Sequence, residues 1–213
     1  MLCAPPPVQH ISLGGCYNVT REGGILPLLR SRFGSNDCAP IRSLDLSGLP
    51  LRVEDLEECC RGLSQLESLG IGYMEAMGED VFLRMLGVHP GDPRAPPGSF
   101  VTRLTSLSVH WCSYLTAEAL WVLAWQAPRL QELDICGCRR IAESALAHAL
   151  IIRGAGEANM EDDDGAAHGD EARTGTPFPA LRVLYARFTT LTRGVVDAIK
   201  ETRPKLQLEH NTS

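Results

Sequence analysis

The chain is poor in aromatic side chains, in excess positive charge and in long apolar runs, and each shortage removes a class of function. Aromatic residues make up 6% of the 213 residues while apolar residues make up 44%, so the core is mainly aliphatic. Twenty Lys and Arg stand against 26 Asp and Glu, leaving a net charge of −6. No basic stripe of the kind that grips a phosphate backbone is present, so no nucleic-acid partner is expected. The longest apolar stretches, such as "LWVLAW" from Leu120 to Trp125, fall far short of the ~20 residues that span a bilayer. The opening "MLCAPPPVQH" has neither the basic nor the apolar region of a secretory leader, and no membrane partner is expected. The eight cysteines then belong in a reducing compartment, cytoplasmic or nuclear, where disulfides do not persist.

Catalytic signatures are missing as well. No G-x-S-x-G, Walker, H-E-x-x-H or C-x-x-C arrangement occurs, and the six histidines are scattered along the chain. "EDDDG" at 161–165 lacks the alternating ligands of a calcium loop. We therefore expect no enzyme, no cofactor and no bound metal.

What the chain does have is a repeated phrase. "LTSLSVHWCSYLTAEAL" from Leu104 recurs as "LQELDICGCRRIAESAL" from Leu130, 26 residues on. Six copies of L-x-x-L-x-L emerge, beginning at Val8, Ile41, Leu66, Leu104, Leu130 and Leu181. The excess over a 26-residue unit falls in three insertions of loop composition, "RSRFGSNDCAP", "VHPGDPRAPPGSF" and the acidic stretch within 151–180. From Arg153 to Pro177 seven acidic residues stand against two arginines, so most of the net charge lies there. This segment reads as a mobile, solvated loop.

Within each copy the period changes. Alternating leucines put one face of a short strand inward, and a helical spacing follows, as in Leu115, Leu120 and Leu123. Thr116, Thr20 and Thr192 stand where an N-cap hydroxyl accepts a backbone N–H. Pro40, Pro128 and Pro179 stop the preceding helix one or two residues before the next copy begins. One strand-turn-helix unit cannot bury its apolar face alone, so the units must stack.

The pattern L-x-x-L-x-L-x-x-C-x-x-(I/L)-T-x-x-x-L-x-x-L, often closed by P-x-L, resembles the cysteine-containing leucine-rich repeat of F-box/leucine-rich-repeat proteins. The resemblance covers nearly the whole chain outside the insertions, with the copies from Leu104 and Leu130 fitting closely. It implies an α/β leucine-rich-repeat solenoid of about six repeats with three insertions in one domain, 1–213. A curved parallel sheet would line the concave face and helices the convex one. It also implies a non-catalytic protein-binding module, similar to the substrate-recognition part of an SCF-type ubiquitin ligase. Cysteine holds its place only at Cys16, Cys112 and Cys138, with Leu49, Met74 and Thr189 elsewhere. Seven residues precede the first strand, too few for an F-box, so no direct binding to the ligase adaptor is expected. A mitochondrial or other assembly scaffold with the same repeats is the alternative, although no Arg-rich, acid-poor leader is present.

Three sets of residues are candidates for function. On the concave ladder His110, Glu132, Asp134, Tyr185 and Arg187 mix charge with an aromatic, whereas earlier rungs offer mostly Ser and Gly. Binding energy for a protein partner should therefore concentrate towards the C-terminal end, where the acidic segment would also steer a basic partner. Tyr73, Trp111 and Phe188 near the ends of the rungs are further anchors. On the convex side Trp121 and Trp125 lie one turn apart, either covered by an insertion through Phe178 or forming a docking strip. The third set, His110-x-Cys112 and Cys136-x-Cys138, has the composition of a zinc site, but alternation opposes convergence. Cys112 and Cys138, like Cys59 and Cys60, read instead as small buried packing residues.

Overall fold

The computed structural model describes residues 8–16, 18, 27, 41–52, 54–56, 63–74, 78–87, 100–151, 177–189 and 191–211. Seven three-residue strands recur, all but the sixth flanking a leucine or isoleucine with polar or small residues. They are β1 (His10–Ser12), β2 (Ser43–Asp45), β3 (Ser68–Gly70), β4 (Ser106–Ser108), β5 (Glu132–Asp134), β6 (Val183–Tyr185) and β7 (Gln207–Glu209). All pair in parallel and in chain order within one seven-stranded sheet.

Because the side-chain period of a strand is two, the register decides which row is buried. It lines up Ile11, Leu44, Leu69, Leu107, Leu133, Leu184 and Leu208, one from each strand. The five inner leucines of this row are at most 1% exposed. The residues two positions on, Leu46, Ile71, Val109, Ile135 and Ala186, are buried as well. A leucine at such a site contributes about 2–5 kcal/mol against alanine, so this double row is a large part of the core.

Helices alternate with the strands: α1 (Glu79–Met85), α2 (Ala117–Gln126), α3 (Glu143–Ile151) and α4 (Arg193–Thr202). Each packs on the next, α1 on α2, α2 on α3 and α3 on α4. Leu120 and Leu123 of α2 take the expected core positions at 3% and 2% exposure. Thr116 caps α2 as the sequence predicts, its hydroxyl oxygen accepting the Glu118 N–H at 3.2 Å. The same hydroxyl donates to Glu79 Oε1 on the first turn of α1. Thr192 stands at the N-cap of α4 but makes no capping bond; its hydroxyl donates to Glu143 Oε1 on the first turn of α3. The head of a helix is thus tied to the first acidic residue of the helix before it.

β7 has no counterpart among the six predicted copies. Leu206 makes the turn bond that opens a unit, its N–H donating to the Arg203 carbonyl as Leu181 does to Phe178. The strand leucine Leu208 then follows after two residues, where Leu184 follows Leu181 after three. This contraction, and His210 in place of an apolar residue, hid the unit from a search on L-x-x-L-x-L. Pro204 before Leu206, mirroring Pro128 and Pro179, is the signal that marks it.

The expected N-cap Thr20, the Cys59-Cys60 pair, Pro40 and residues 152–176 of the acidic segment lie outside the described residues. At the far end of that segment Phe178 is wholly buried, its N–H donating to the Ala124 carbonyl of α2 at 3.1 Å. Among the described residues no helix is long and apolar enough to cross a membrane.

Candidate interface on the open face of the sheet

The face of the sheet away from the helices carries the residues on either side of the buried row. After each strand the chain turns, and the ladder continues through the turn: the N–H groups of Gly15, Gly48, Tyr73, Trp111 and Gly137 donate to the carbonyls of Ser47, Gly72, His110, Cys136 and Arg187 in the next unit. This turn position requires left-handed backbone. Gly15, Gly48 and Gly137 adopt φ of 75°, 73° and 72° there, and Tyr73, Trp111 and Phe188 adopt 57°, 56° and 57°. Glycine enters this region freely, but a residue with a Cβ pays roughly 1–2 kcal/mol. Three units therefore hold a bulky ring at a place where the fold would accept glycine at lower cost.

The three rings form a row along the rim. Tyr73 and Trp111 stack at 6.1 Å between centroids with 8° between planes, and Phe188 lies 5.8 Å from Trp111. Gly137 lets them meet: a β-carbon there would come within 2.5 Å of the Trp111 ring, which lies across it. Arg139 adds a guanidinium 5.7 Å from the centre of the same ring. Tyr73 and Phe188 remain 48% and 54% exposed, a large apolar area left in water.

Beside the rim lies a hydrogen-bonded cluster. The Ser108 hydroxyl donates to Asp134 Oδ2 at 3.0 Å and sits 2.7 Å from His110 Nδ1, while Asp134 Oδ1 accepts the Cys136 N–H at 3.0 Å. The Ser108 hydroxyl thus bridges the Asp134 carboxylate and the His110 ring. Cys136 accepts the Arg187 N–H at 3.3 Å, and burial together with Asp134 pushes its thiol up to about 11. A thiol so placed stays protonated near neutral pH and is a poor nucleophile.

Of the five residues expected on the concave ladder, the structure brings His110 and Asp134 together, Nδ1 to Oδ2 at 3.7 Å. Glu132 accepts from the Ser106 hydroxyl at 3.4 Å, and Arg187 pairs with Glu209 of the unpredicted strand β7 at 2.9 Å. Tyr185 stands half-buried between Asp134 and Glu209 in the sheet register. Residues missed by the sequence reading as a site are Asp45 and the glycines around it. With Tyr73 and His110, Asp45 lines a hollow of about 460 Å³ floored by Ser68, Leu69 and Gly70. The small rungs judged poor in anchor area are what open this hollow.

Trp121 and Trp125 are half-buried on α2 and meet edge to face at 5.8 Å, with the His148 ring 4.9 Å from Trp121. Cys112 and Cys138 are fully buried, and their thiols donate to the carbonyls of Ile71 and Val109 in the preceding units at 3.4 and 3.1 Å. They stitch one unit to the last, away from His110 and Cys136 on the open face. Among the described residues no three His, Cys, Asp or Glu side chains converge into a metal-binding group.

Compared with known proteins, the chain matches no family model and no curated protein. The class that the fold and site define is an α/β protein of alternating strands and helices on one parallel sheet, with an aromatic rim and a polar hollow on its open face.

Proposed function

We propose that the chain is a leucine-rich-repeat solenoid that works as a non-catalytic protein-binding module, cytoplasmic or nuclear, with the open face of its sheet as the concave binding surface. By resemblance to the repeat region of F-box proteins, its work is to hold a protein partner or substrate within a ubiquitin-ligase pathway. The observation that carries the reading is the row of Tyr73, Trp111 and Phe188 in left-handed turns. The rings pack on one another, yet Tyr73 and Phe188 stay about half exposed in a backbone that glycine would enter at lower cost, and aromatic anchors are where interfaces concentrate their energy. His110, Glu132, Asp134, Tyr185 and Arg187 supply the polar surround. The helix side carries this role less well, because Trp121 and Trp125 are less exposed than Tyr73 and Phe188.

Proximity labelling by the full chain in its source cells tests the reading. The set of labelled proteins should shrink in a Trp111→Ala, Phe188→Gly double variant and persist in a Trp121→Ala, Trp125→Ala variant. A set that survives the first and collapses in the second moves the interface to the helix side. A set indifferent to both removes the protein-binding reading.

A further inference from the structure

We infer that the hollow takes one basic side chain, arginine or lysine, of the protein partner, with the cationic head against Asp45 and the stem along the Tyr73 ring. This rests on the protein-binding reading and adds the chemistry of what is bound.

The hollow is built around a carboxylate laid flat on the sheet. Gly14, in the turn after β1, and Gly70 of β3 flank Asp45, and a β-carbon on them would come within 2.4 and 2.5 Å of its oxygens. Only a side-chain-free residue on both sides lets the carboxylate lie across the rungs instead of standing away from them. Its oxygens accept from the Ser47 N–H at 3.0 Å and the Ser12 hydroxyl at 3.4 Å, both neutral donors. Among the described residues no lysine or arginine pairs with it, whereas Glu67 and Glu209 on the same face hold Arg42 and Arg187. A carboxylate has about four acceptor directions, so the two donors leave about half of that capacity unused among the described residues.

The other walls suit the same occupant. His110 lies flat over Gly72, within 2.3 Å of where its β-carbon would be, and its Nδ1 meets the Ser108 hydroxyl at 2.7 Å, which fixes the ring as a wall of the hollow. Tyr73 also lines the hollow, perpendicular to that imidazole at 5.0 Å, and its ring is an apolar wall along which the stem of a long basic side chain can lie. Ser68, Ser106 and Ser108 contribute hydroxyls that adapt to either role. An anion would meet the Asp45 carboxylate and no lysine or arginine among the lining residues, and an apolar side chain would strip water from Asp45 without replacing it. A basic side chain answers both Asp45 and Tyr73. Its volume fits easily, since about 460 Å³ falls within the ~300–1,000 Å³ range of binding clefts.

A phage-displayed library of random dodecapeptides, panned on the full chain, provides the test. Enriched peptides should carry arginine or lysine at one fixed position. A synthetic peptide of that sequence should bind at least about tenfold more weakly to Asp45→Asn and to Tyr73→Gly. Both variants should keep the wild-type thermal midpoint, because asparagine retains an oxygen for the Ser47 N–H and Gly48 and Gly137 already hold the Tyr73 turn position in other units. Replacing the fixed basic residue of the peptide by norleucine should cost as much as Asp45→Asn. Peptides enriched without a fixed basic residue, peptides bound equally by Asp45→Asn, or no enrichment at all would each overturn the inference. None of these touches the rim variants in the labelling experiment, so the wider protein-binding reading stands or falls separately.

Discussion

The imidazole of His110 lies across the backbone of Gly72, so close that a β-carbon on Gly72 would sit 2.3 Å from its Cε1. The same relation joins Trp111 to Gly137, with a 2.5 Å approach. Large side chains on this face are accommodated by glycines on the neighbouring unit, and the two glycines differ in backbone. Gly137 has φ of 72°, while Gly72 is not left-handed.

A three-variant series separates the contributions. Gly15→Ala meets open space but a left-handed backbone, so it should lose roughly 1–2 kcal/mol. Gly72→Ala strains no backbone and recovers unfolded-state entropy, so stability should stay within about 1 kcal/mol while His110 is pushed off its seat. Gly137→Ala combines both penalties and should lose most. Urea unfolding gives the stabilities, and the His110 ring-proton shifts report the displacement. Equal losses at Gly15 and Gly137 would mean that the Trp111 ring does not rest on Gly137.

The buried thiols make stability sensitive to alkali. Burial raises the Cys138 thiol from 9.0 to about 12, and Cys112 shifts in the same direction for the same reason. The neutral thiols are therefore favoured by folding, and that contribution is complete below about pH 9. Above it the unfolded chain ionises first and binds fewer protons, so stability falls as pH climbs from 9 towards 12. Thermal midpoints measured across that window should drop, and Cys138→Ala should flatten the slope while lowering stability at pH 7. A slope unchanged by the substitution would assign the alkaline loss to other groups.

Much of this architecture was legible because each strand needs only one buried leucine, and the spacing of leucines states the register directly. Leu44, Leu69, Leu107, Leu133 and Leu184 are predicted and observed in one row. Cys112 and Cys138 were legible as packing, but their bonds to Ile71 and Val109 were not, since those depend on how one unit stacks on another. The left-handed row is announced by Gly48 and Gly137 and disguised by Tyr73, Trp111 and Phe188, whose residue types argue against such a backbone. The hollow was hidden for a related reason. Ser and Gly rungs read as blank surface until Asp45 and His110 are seen lying across them.

Removing the Asp134 side chain tests the polar cluster beside the rim. Asp134→Ala leaves the Ser108 hydroxyl and the Cys136 N–H without their acceptor, on a half-buried surface that water reaches. The stability cost should be about 1 kcal/mol, because solvent replaces most of what is lost. Partner capture should weaken in this variant and in Tyr185→Ala, with midpoints nearly intact. Full capture by both would exclude the C-terminal half of the ladder from the interface.

Arg203, just past α4, decides how much of the acidic segment the fold can lose. Its guanidinium donates from Nε to the Leu150 carbonyl at 2.7 Å, near the end of α3, and from the other nitrogens to the carbonyls of Phe178, at 2.9 Å, and Pro177. It therefore fastens the place where the chain leaves for the acidic segment to the place where it returns. Bonds from a charged donor to part-buried carbonyls are worth more than neutral ones, and a lysine cannot reach three acceptors with one nitrogen. Arg203→Lys and Arg203→Met should both destabilise, by about 1.5–3 kcal/mol. Replacing residues 154–176 with a short Gly/Ser linker should leave the midpoint nearly unchanged, since closing a long loop costs little more than closing a short one. Extending that replacement through Phe178 should cost several kcal/mol, because a fully buried ring and its bond to Ala124 go with it. Equal midpoints for the two replacements would show that Phe178 and Arg203 do not fasten the segment. A large loss from the shorter replacement alone would show that residues 154–176 themselves pack on the fold.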